Sequence, residues 1–583
     1  MSGALRAIPI LWPLLLLLLS TGCSTSSSSK RGESVRVSSP DPDEVVLVAT
    51  ADLHAALERA EGLASVVRAL RAQYGNQMLH LDGGDLFQGT LEGNLSKGKS
   101  IVAFYNLIGL DAAAIGNHDL DYGPAAPTRM NVKPGEDGMG NLKQRVRQAK
   151  FKWLSANIVR DKLHCRPSLG ATIEHCNAQG NRTIFEPHAA FQRAGRKVCV
   201  IGATTPTTTA ITRAEYIKGT RFDELAPVIA AEAAHLRDDE SCDLVVLTVH
   251  AGLLCTPDGS CRMAGDRAEL LRLLPALPPG TLDAVVAGHT HMLAQETIND
   301  VPVIEAGTGA KSVGVLHLRG TRGNLRARFE PFIPVPEKPD VPQPDVTAAL
   351  KPFRDEAARV KSEVVGRTTG AFPKNYVAET ALGNLVADVL LDAARRHGHP
   401  ADFAITNAGG LRGGLPAGSV TYGDVFNALP FDNALAVVEL KGSELRALVT
   451  ILESGGHGVG PVSGLRVKRL NVPIGQTGKW SRDLNGDGKT EDWERDLLLE
   501  LTDDAGTPID PERTYRVATP DFLVWGGDHE AAVYDKVPNS RKHVFPSLWE
   551  RDLVVDFLRK HGAVNPSDHF KPDRPRVTNV DPR

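Results

Sequence analysis

Three observations on this chain of 583 residues predict an α/β fold in two domains. Short apolar runs recur between residues 45 and 318 and alternate with helix-like stretches, a pattern typical of strands buried between layers of helices. A proline-rich segment, 331–346, then interrupts the pattern, because proline ends helices and is excluded from central strands. The remainder has apolar runs and turns of its own, and one hydrophobic core does not usually serve so long a chain.

The elements of the first domain follow from these runs. A helix is predicted at RAEGLASVVRALRAQYG, 59–75. The predicted strands are VVLVAT, MLHLDGGD, AAAIGNHD, FKWLSANI, KVCVIGAT, DLVVLTVHAG, LDAVVAGHTH, VPVIEAG and SVGVLHL. We therefore expect a first domain at 44–330, a linker with a hinge helix at 331–364, and a second domain at 365–583.

The charge balance bears on partners. The chain carries 66 basic and 70 acidic residues, a formal net charge of −4, and 42% of its residues are hydrophobic. Binding to nucleic acid through charge needs a basic surface, so we expect no nucleic-acid partner. We expect the protein to be a monomer.

Residues 1–22 have the pattern of a signal peptide. Arg6 precedes an apolar run that is too short to span a bilayer well, and the run ends in STGC. The pattern resembles a bacterial lipoprotein signal, which would be cut before Cys23 and would lipidate its thiol. Ser20 stands where such signals usually carry Leu, so a plain cleaved signal peptide is the alternative. Residues 23–43 are predicted to be a disordered polar tail, and we expect an exported protein, a periplasmic or cell-envelope lipoprotein.

The remaining cysteines bear on disulfide bonds, which an exported protein can form. The predicted local pairs are Cys165 with Cys176 and Cys255 with Cys261. Cys199 and Cys242 lie in or beside apolar strands and are interpreted as small buried residues.

Polar side chains follow five of the predicted strands, at the point where each strand ends. They are two carboxylates, four imidazoles and one amide: Asp52, His54, Asp85, Asn117, His250, His289 and His291. In open α/β sheets, ligands bind beyond the carboxyl ends of the strands. Any one of these residues alone is more simply a turn residue, but five strands that end alike indicate one site. The set suits two divalent ions that share a carboxylate, Mn²⁺, Zn²⁺ or a similar ion.

The motifs DLH, GDLFQG, GNHDLD, HAG and GHTH, in this order, resemble the calcineurin-like metallophosphoesterase signature. Over nearly all of its mature length the chain resembles the exported bacterial 5′-nucleotidase / UDP-sugar hydrolase family, which usually has Gly where Ala55 stands. The resemblance implies a four-layer α/β/β/α metallophosphoesterase domain followed by a smaller α/β nucleotide-recognition domain. It also implies a metal-dependent phosphoric ester hydrolase, in which two ions activate a shared water.

The resemblance also assigns roles to the residues of the first domain. One metal would be held by Asp52, His54, Asp85 and His291, and the other by Asp85, Asn117, His250 and His289, with Asp85 bridging. His118 is expected to lie over the phosphoryl group and stabilise its developing charge, and Asp121 to orient His118. Asp119 is interpreted as a helix-start or turn residue, so that Asp119→Ala should matter comparatively little.

The second domain carries further motifs of that family. Its C-terminal signature is matched by ETALGNLVAD, 379–388, and NAGGLRGG, 407–414, and its aromatic motifs by FNALPFDN, 426–433, and ATPDFLVWGGDHE, 518–530. Family members usually carry further arginines just upstream of the first motif, where this chain has GRTTGAFPKNYVAET with Lys374. Its preference for phosphate or sugar groups is therefore left open.

The resemblance implies that these motifs bind a nucleoside. Phe431 and Phe522 would sandwich the base, a stacking interaction that contributes about 1–3 kcal/mol per base. Asn433 would bond to the base, Asp528 to the ribose hydroxyls, and Arg412 would meet the ribose–phosphate region. The nucleotide would have to bridge the two domains, so the linker is predicted to act as a hinge.

The segment DLNGDGKTEDWE, 483–494, has the EF-hand calcium-loop pattern. The predicted ligands are Asp483, Asn485, Asp487, the Lys489 carbonyl, Glu491 and Glu494. Gly488 stands where such a loop bends sharply. The flanking sequence is not EF-hand-like, so we expect a lone hairpin loop with one structural Ca²⁺. A merely acidic turn is the alternative.

These observations predict dimetal-dependent hydrolysis of nucleotide phosphate esters outside the cytoplasm, as by a 5′-nucleotidase, with UDP-sugar hydrolysis left open. The alternatives are a 2′,3′-cyclic nucleotide phosphodiesterase, a thiosulfohydrolase-like enzyme, and a non-catalytic lipoprotein that binds nucleoside or calcium. The base sandwich disfavours the sulfur enzyme. The complete ligand set disfavours the silent binder.

Overall fold

Strands that are buried on both faces build the first domain, as the apolar runs predict; every residue of 45–50 is buried. The computed structural model describes residues 43–125, 132, 135–164, 175–255, 260–261, 268–454, 458–472, 478–491 and 493–582. The predicted signal peptide, Cys23 and the predicted tail up to residue 42 lie outside the described residues. Within the described ranges, no helix combines the length and the apolar character needed to cross a bilayer.

The strands and helices of the first domain alternate along the chain. The strands are β1 Val45–Thr50, β2 Met78–Asp82, β3 Ala112–Ala114, β4 Lys152–Leu154, β5 Ile158–His164, β6 His175–Cys176, β7 Asn181–Thr183, β8 His188–Arg193, β9 Arg196–Thr204, β10 Thr220–Phe222, β11 Leu244–His250, β12 Ala284–Ala287, β13 Leu293–Ile298, β14 Val301–Ala306, β15 Ser312–Arg319, β16 Arg326–Phe329 and β17 Ile333–Pro334. The helices are α1 Ala60–Tyr74, α2 Leu91–Ser96, α3 Lys99–Ile108, α4 Gly140–Gln148, α5 Thr208–Ile211, α6 Leu225–Asp238, α7 Glu269–Ala276 and α8 Pro344–Lys361.

Two large sheets face each other in this domain. The first has the order β16-β15-β1-β2-β3-β4, and the second β13-β14-β12-β11-β9-β8. Strands β1 to β4 pair in parallel, as do β9, β11, β12 and β14, while antiparallel strands border both groups. Parallel neighbours place their carboxyl ends at one edge of the sheet, where ligand-binding residues gather.

The layers follow from which residues share a core. Leu47 and Leu81 of the first sheet pack with Val246 of the second, so the two sheets bury one face against each other. The outer face of the first sheet packs with α1 and α3, and that of the second with α6 and α7. The predicted four-layer α/β/β/α arrangement is therefore confirmed.

The disulfides correct one prediction. Cys199 of β9 and Cys242, just after α6, form a disulfide, although the sequence suggested two buried thiols. Helix α6 lies between the two cysteines in the sequence, and they meet only because the chain comes back to the sheet after this helix. The sequence pattern does not show this. Cys255 and Cys261 are joined as predicted. Cys165 lies outside the described residues, so its pairing stays a prediction.

The proline-rich linker is anchored to the first domain. Helix α8 buries Val346 and Leu350 in the same core as α1, and Arg354 donates to both carboxylate oxygens of Glu61 at 2.5 and 2.8 Å. At its end, Lys361 contacts Glu92 at 2.7 Å. Ala357 of the same helix packs with Phe426 of the second part of the chain, so α8 contacts both domains.

The second domain has its own strands and cores. Its strands are β18 Val364–Thr368, β19 Phe403–Ile405, β20 Gly418–Thr421, β21 Ala434–Lys441, β22 Val462–Ser463, β23 Leu465–Leu470, β24 Leu498–Asp503, β25 Thr514–Pro520, β26 Lys542–Trp549, β27 Ala563–Val564 and β28 Val577–Val580. Its helices are α9 Ala381–Arg396, α10 Tyr422–Ala428, α11 Gly442–Leu452, α12 Asp521–Val524, α13 Ala531–Tyr534, α14 Glu550–His561 and α15 Pro566–His569. A mixed sheet of order β22-β19-β25-β21-β26 separates two apolar cores.

The two domains meet in buried contacts. Arg213 of the first domain forms an ion pair with Asp521 of the second, and both side chains are buried. Asn94 donates to the Pro430 carbonyl at 3.1 Å. These contacts bring the start of α12 and the loop before β21 against the active-site face of the first domain.

Candidate active site

All seven predicted metal ligands lie at the carboxyl ends of the two large sheets. Asp52 and His54 follow β1, Asp85 follows β2, and Asn117 follows β3. His250 ends β11, and His289 and His291 follow β12. Because the sheets are packed face to face, their carboxyl ends bring ligands from both sheets into one cluster. The sequence pattern predicted these seven residues, and the packing of the two sheets brings them close together.

One part of the cluster contains Asp52, His54 and His291. His54 Nε2 lies 3.0 Å from His291 Nε2, and His291 Nε2 lies 3.6 Å from Asp52 Oδ1. Asp85 Oδ2 lies 3.8 Å from His54 Nε2. This is the set that the resemblance assigns to the first ion.

The other part contains Asn117, His250 and His289. His250 Nε2 lies 3.0 Å from Asn117 Oδ1 and 3.2 Å from His289 Nδ1. The same nitrogen lies 3.2 Å from Asp85 Oδ2. The Asp85 carboxylate thus lies between both parts, as a bridging ligand must.

The hydrogen bonds of the histidines test whether this cluster fits cations. His54 Nδ1 lies 3.1 Å from the Gln88 carbonyl and His250 Nδ1 2.9 Å from the Gly83 carbonyl, so each Nδ1 carries the proton and donates it. Each Nε2 then points at other nitrogen and oxygen ligands 3–4 Å away. Ligand atoms that converge in this way need a proton or a metal cation among them, and the backbone acceptors fix the ring orientations as in metal sites. The residues therefore fit a pair of divalent ions.

The electrostatics of the cluster agree with that fit. Asp52 and Asp85 are almost completely buried, and burial raises the pKa of Asp52 well above its ordinary value. Burial disfavours the charge of His250, but Asp85 and Asp52 outweigh it and raise the pKa of His250 to about 10. Burial also disfavours the charge of Asp85, but the nearby imidazoles, His250 first, hold the pKa of Asp85 well below its ordinary value. The two buried carboxylates thus favour a positive charge at the position of His250.

The backbone is strained at the ligands. Five of the seven have positive φ angles, a region that non-glycine residues seldom adopt: Asp52, His54, Asp85, His289 and His291. Neighbouring glycines make room for them, since a Cβ on Gly116 would overlap Asp85 Oδ1, and one on Gly84 would lie 2.8 Å from His250 Nδ1. Such strain persists only where the surrounding structure holds it in place.

Asp119 provides part of that support, which corrects the sequence interpretation. It is completely buried, and its carboxylate accepts the backbone N–H groups of Asp85, Phe87 and Gly116 at 3.2, 3.0 and 2.8 Å. It therefore joins the loops that carry Asp85 and Asn117. We therefore expect Asp119→Ala to matter more than a turn role implies. The sequence did not reveal these contacts, because they come from residues up to 34 positions away and a local turn pattern does not show them.

Two further buried carboxylates have similar roles that the sequence did not reveal. Glu305 accepts from Thr290 Oγ1 at 2.7 Å, Met292 N at 3.0 Å and Leu253 N at 3.2 Å, and so holds the loops around His291 and after His250. Burial raises the pKa of Glu305 to about 7. Asp82 accepts from the Gly84 backbone at 3.0 Å. An acidic residue inside an apolar run is the one sequence signal that they carry.

His118 lies directly beside the metal ligands. Its backbone N–H donates to Asp85 Oδ1 at 2.8 Å, and its ring lies 5.3 Å from that of His54. Nδ1 lies 2.6 Å from Asp121 Oδ2, so the predicted His–carboxylate pair is present. Nδ1 donates to Asp121, and Nε2 faces away from the supporting carboxylate.

The second domain reaches the same histidine. Arg412 Nη2 lies 3.2 Å from His118 Nε2, and the Phe431 ring stacks on the His118 ring at 5.8 Å between centroids. The Arg412 guanidinium also lies 5.3 Å from the centre of the Phe431 ring. Two of the residues assigned to substrate binding thus meet the catalytic candidate across the domain boundary.

Lys374 and Tyr376, which precede the ETALGN motif in the sequence, lie close to Arg412. Lys374 Nζ lies 3.7 Å from the centre of the Tyr376 ring and 3.5 Å from the Arg412 carbonyl. Burial works against ionisation of Tyr376, but Lys374 and Arg412 outweigh it and lower its pKa. The stretch that lacks the family's arginines therefore still places a cation beside Arg412.

The other residues assigned to the nucleoside have protein partners. Asn433 Nδ2 lies 3.4 Å from Glu550 Oε2, and Asp528 accepts from Asn407 Nδ2 at 2.6 Å. The Phe522 ring packs so closely on Gly527 that a Cβ there would overlap it. Sequence reasoning did not single out Glu550 or Asn407, although Asn407 begins the NAGGLRGG motif.

The described residues of the loop 483–494 lie between β23 and β24, which pair antiparallel. Asp483 accepts from the Gly486 and Gly488 backbones at 2.6 and 2.9 Å. The buried Glu494 accepts from Leu484 and Asn485 at 2.9 and 3.0 Å. Among the described residues, the groups whose ligand atoms lie within 4.8 Å of one another do not include this loop.

A cleft of about 760 Å³ separates this loop from the first domain. Asn485, Trp493 and Trp525 line it on one side, and Thr207 and Arg272 on the other. Trp493 stacks on His529, the neighbour of Asp528, with 4.2 Å between ring centroids. The loop therefore borders the part of the second domain to which nucleoside binding is assigned.

A cluster of carboxylate, imidazole and amide ligands at the joined ends of two sheets, with a carboxylate-paired histidine beside it, defines the class of metallophosphoesterases. The comparisons agree. Residues 45–293 match the model of the calcineurin-like phosphoesterases, and residues 361–535 match the model of the 5′-nucleotidase C-terminal domain. The chain belongs to the phosphoester hydrolase family that combines these two domains, a family whose first domain uses a pair of divalent metal ions.

Relatives cover most of the chain. It is 26% identical over 539 residues to protein UshA of Yersinia enterocolitica, covering 86% of each chain. It is 26% identical over 530 residues to a 5′-nucleotidase of Vibrio cholerae, covering 84% of each. The crystal structure of a 5′-nucleotidase precursor from Thermus thermophilus superposes with a TM-score of 0.71 at 23% identity, covering 93% of this chain and all of that one. At that identity the superposition shows the fold alone.

Proposed function

We propose that this protein is an exported 5′-nucleotidase, which hydrolyses the phosphate ester of nucleotides with a pair of divalent ions. The observation that carries the proposal is the position of His118. It lies between the dimetal ligands of the first domain and the Arg412–Phe431 pair of the second. A substrate with a phosphate at one end and a ring at the other matches this arrangement. The similarity to the 5′-nucleotidase of Vibrio cholerae, which covers 84% of each chain, is consistent with it.

The metal ligands, His118, Asp121 and Arg412 have different roles in the proposed reaction. The ion pair, when bound to the seven ligands, supplies an activated water and contacts to the phosphoryl oxygens. Asp121 orients the His118 ring by accepting the Nδ1–H bond. When the ring carries a proton on both nitrogens, Nε2–H can donate to a phosphoryl oxygen. Arg412, 3.2 Å from that nitrogen, adds a positive charge where the transferred group becomes more negative.

The second domain is proposed to hold the nucleoside. Phe431 and Phe522 stack on the base, while Asn433 and Asp528 bond to the base and the ribose. Glu550 and Asn407 already fix the latter two side chains, so that they are oriented before the substrate arrives. Lys374 beside Arg412 offers a second cation to a longer phosphate chain or to a sugar nucleotide.

A substrate panel tests the proposal. The purified protein is stripped of metal and supplied separately with Mn²⁺, Zn²⁺ or Co²⁺, and kcat/KM is measured for AMP, ADP, UDP-glucose, 2′,3′-cyclic AMP, a thiosulfate conjugate and p-nitrophenyl phosphate. We expect AMP to exceed p-nitrophenyl phosphate because only AMP has a base to stack. Preference for the cyclic nucleotide or the sulfur substrate would instead support those enzymes. No turnover with any metal would support a silent binding protein.

Calcium binding at 483–494 is proposed as a structural feature of the same protein. Asp483 and Glu494 already curve the loop by accepting backbone N–H groups, and a carboxylate that accepts such bonds keeps other lone pairs for a metal. The loop lies in a hairpin away from the dimetal ligands, so Ca²⁺ would stabilise the fold and not take part in the reaction.

Export, lipidation at Cys23 and a monomeric state complete the proposal. Mass spectrometry of the mature N-terminus checks the first two, since a lipoprotein begins at a diacylated Cys23 and a secreted protein does not. Cys23→Ser should release the protein from membranes without a change in turnover. A mature chain that retains residues 1–22 would contradict export.

A further inference from the structure

Another group of metal-ligating side chains lies at the β8 edge of the second sheet, beside α6. It consists of His188 at the start of β8, His235 near the end of α6, and Glu240 just after that helix. One ligand atom from each lies within 4.8 Å of the others. None of these residues belongs to the active-site cluster.

Both imidazoles point the same nitrogen at the same oxygen. His188 Nε2 lies 3.2 Å from Glu240 Oε1, and His235 Nε2 lies 3.7 Å from it. The two rings are 5.9 Å apart between centroids. Two Nε2 atoms and one carboxylate oxygen therefore surround a single point.

The far nitrogen of each ring is bound by a different carboxylate. His188 Nδ1 lies 2.8 Å from Glu232 Oε2, and His235 Nδ1 lies 2.8 Å from Asp239 Oδ2. Such a carboxylate takes the Nδ1 proton, orients the ring and leaves the Nε2 lone pair free for a metal. Carboxylate–histidine pairs of this kind support zinc sites, and here both histidines have one.

The third ligand is also held in place. Lys197 Nζ donates to Glu240 Oε2 at 3.0 Å and to the Glu240 carbonyl at 2.7 Å. Lys197 thus occupies one carboxylate oxygen and leaves Oε1 facing the histidines. The Cys199–Cys242 disulfide fixes the segment that follows Glu240 to the sheet. Because these cysteines are joined, they do not act as thiolate ligands here.

We propose that His188, His235 and Glu240 bind one Zn²⁺ ion, distinct from the active-site pair. Two imidazoles and a carboxylate are a set that Zn²⁺ prefers. His235 is partly exposed, with 37% of its side chain accessible, so water completes the tetrahedral coordination. The ion ties the end of α6 to the edge of the sheet and has a structural role.

Metal counting on the full-length protein tests this site. Metal-stripped wild type, His235→Ala and Glu240→Gln are dialysed against Zn²⁺, and bound zinc per chain is measured by elemental analysis. We expect both variants to bind one ion fewer than wild type while turnover is unchanged. Loading with Co²⁺ should show the same loss of one equivalent, together with loss of part of the visible absorption of tetrahedral Co²⁺.

Two further variants make the outcome specific. Asp239→Asn removes only the outer carboxylate, and it should weaken zinc binding at this site about 10–100-fold without abolishing it. His397→Ala, at an exposed histidine after α9, should bind as much zinc as wild type. Equal zinc content in wild type, His235→Ala and Glu240→Gln would overturn the proposal and leave the cluster as an ion-pair network.

Discussion

The dimetal cluster and the loop 483–494 differ in what holds their ligands. In the dimetal cluster, buried carboxylates that are not ligands accept the backbone N–H groups of the ligand loops, as Asp119 and Glu305 do. In the loop, the predicted calcium ligands Asp483 and Glu494 accept those N–H groups themselves. The dimetal ligands Asp52 and Asp85 also accept backbone N–H groups, so the difference is that the dimetal site adds support from buried carboxylates that are not ligands.

The difference follows from how far apart the ligands lie in the sequence. Ligands that come from five strand ends need other groups to fix the loops relative to each other, and each such group must be buried and fully bonded. A contiguous loop of twelve residues needs only its own turn. Substitutions of non-ligands should therefore damage the dimetal centre and spare the loop.

The largest effect on turnover is expected for a substitution that leaves metal binding intact. His118→Ala should lower kcat by about 10²–10⁴-fold, because a positioned acid–base or charge-stabilising group is lost. Both metals should remain, since His118 contacts the ligand Asp85 through its backbone N–H, which Ala retains. Metal content by elemental analysis and kcat with AMP check this. Loss of metal together with activity would contradict the assigned role.

A non-ligand variant tests the support of the dimetal centre. Asp119→Asn should lower metal affinity about 10–100-fold and destabilise the protein by about 1–3 kcal/mol for each buried N–H that loses its acceptor. Metal titration of the stripped protein and thermal unfolding measure the two effects.

The matched control is Asp283→Asn. Asp283 also accepts a buried backbone N–H, that of Val245 at 2.7 Å, but Val245 is the second residue of β11, whose other end carries His250. This variant should lose stability and keep its metal affinity. Equal metal affinities for Asp119→Asn and wild type would show that the outer carboxylate does not support the site.

A smaller effect is expected at the base-binding residues. Phe431→Ala and Phe522→Ala should each lower kcat/KM for AMP by the equivalent of about 1–3 kcal/mol, the contribution of stacking on one base. Phe431 also stacks on His118, so p-nitrophenyl phosphate, which lacks a nucleobase, serves as the control substrate. An equal loss with both substrates would indicate damage to His118 and not the loss of base stacking.

The smallest effect on turnover is expected at the loop. Ca²⁺ at about 100 times its Kd should stabilise the wild type by about 2.7 kcal/mol, and Asp483→Ala should abolish this stabilisation without a change in kcat. Asp503→Ala is the matched control, since Asp503 also accepts backbone N–H groups in an acidic turn, from Ala505 and Thr507 at 2.9 and 2.8 Å. Wild type that unfolds at the same temperature with and without Ca²⁺ would contradict a calcium site.

Much of the fold and of the cluster could be predicted from the sequence. Apolar runs identify buried strands because a strand covered on both faces has no polar side, and the runs at 45–50 and 244–250 are strands of that kind. Asp and His residues just after such runs identify the ligands, because parallel strands place their carboxyl ends together. These inferences need only short stretches of sequence.

Other features depend on residues that are distant in the chain. Asp119 has the sequence of a turn residue, and only its burial against the loop of Asp85 shows that it supports the site. The Arg412–His118 contact joins residues 294 positions apart. The sequence around Cys199 and Cys242 suggested two buried thiols. Only the fold shows that they lie next to each other and form a disulfide.

The sequence by itself predicted the double-sheet domain, the candidate dimetal ligands and the His118–Asp121 pair, because each depends on local spacing. The tertiary structure decided which carboxylates support the ligands, which side chains of the second domain meet His118, and that His188, His235 and Glu240 form a cluster. The physical reason is that these contacts arise when separate layers pack, and packing depends on the whole fold and not on neighbouring residues.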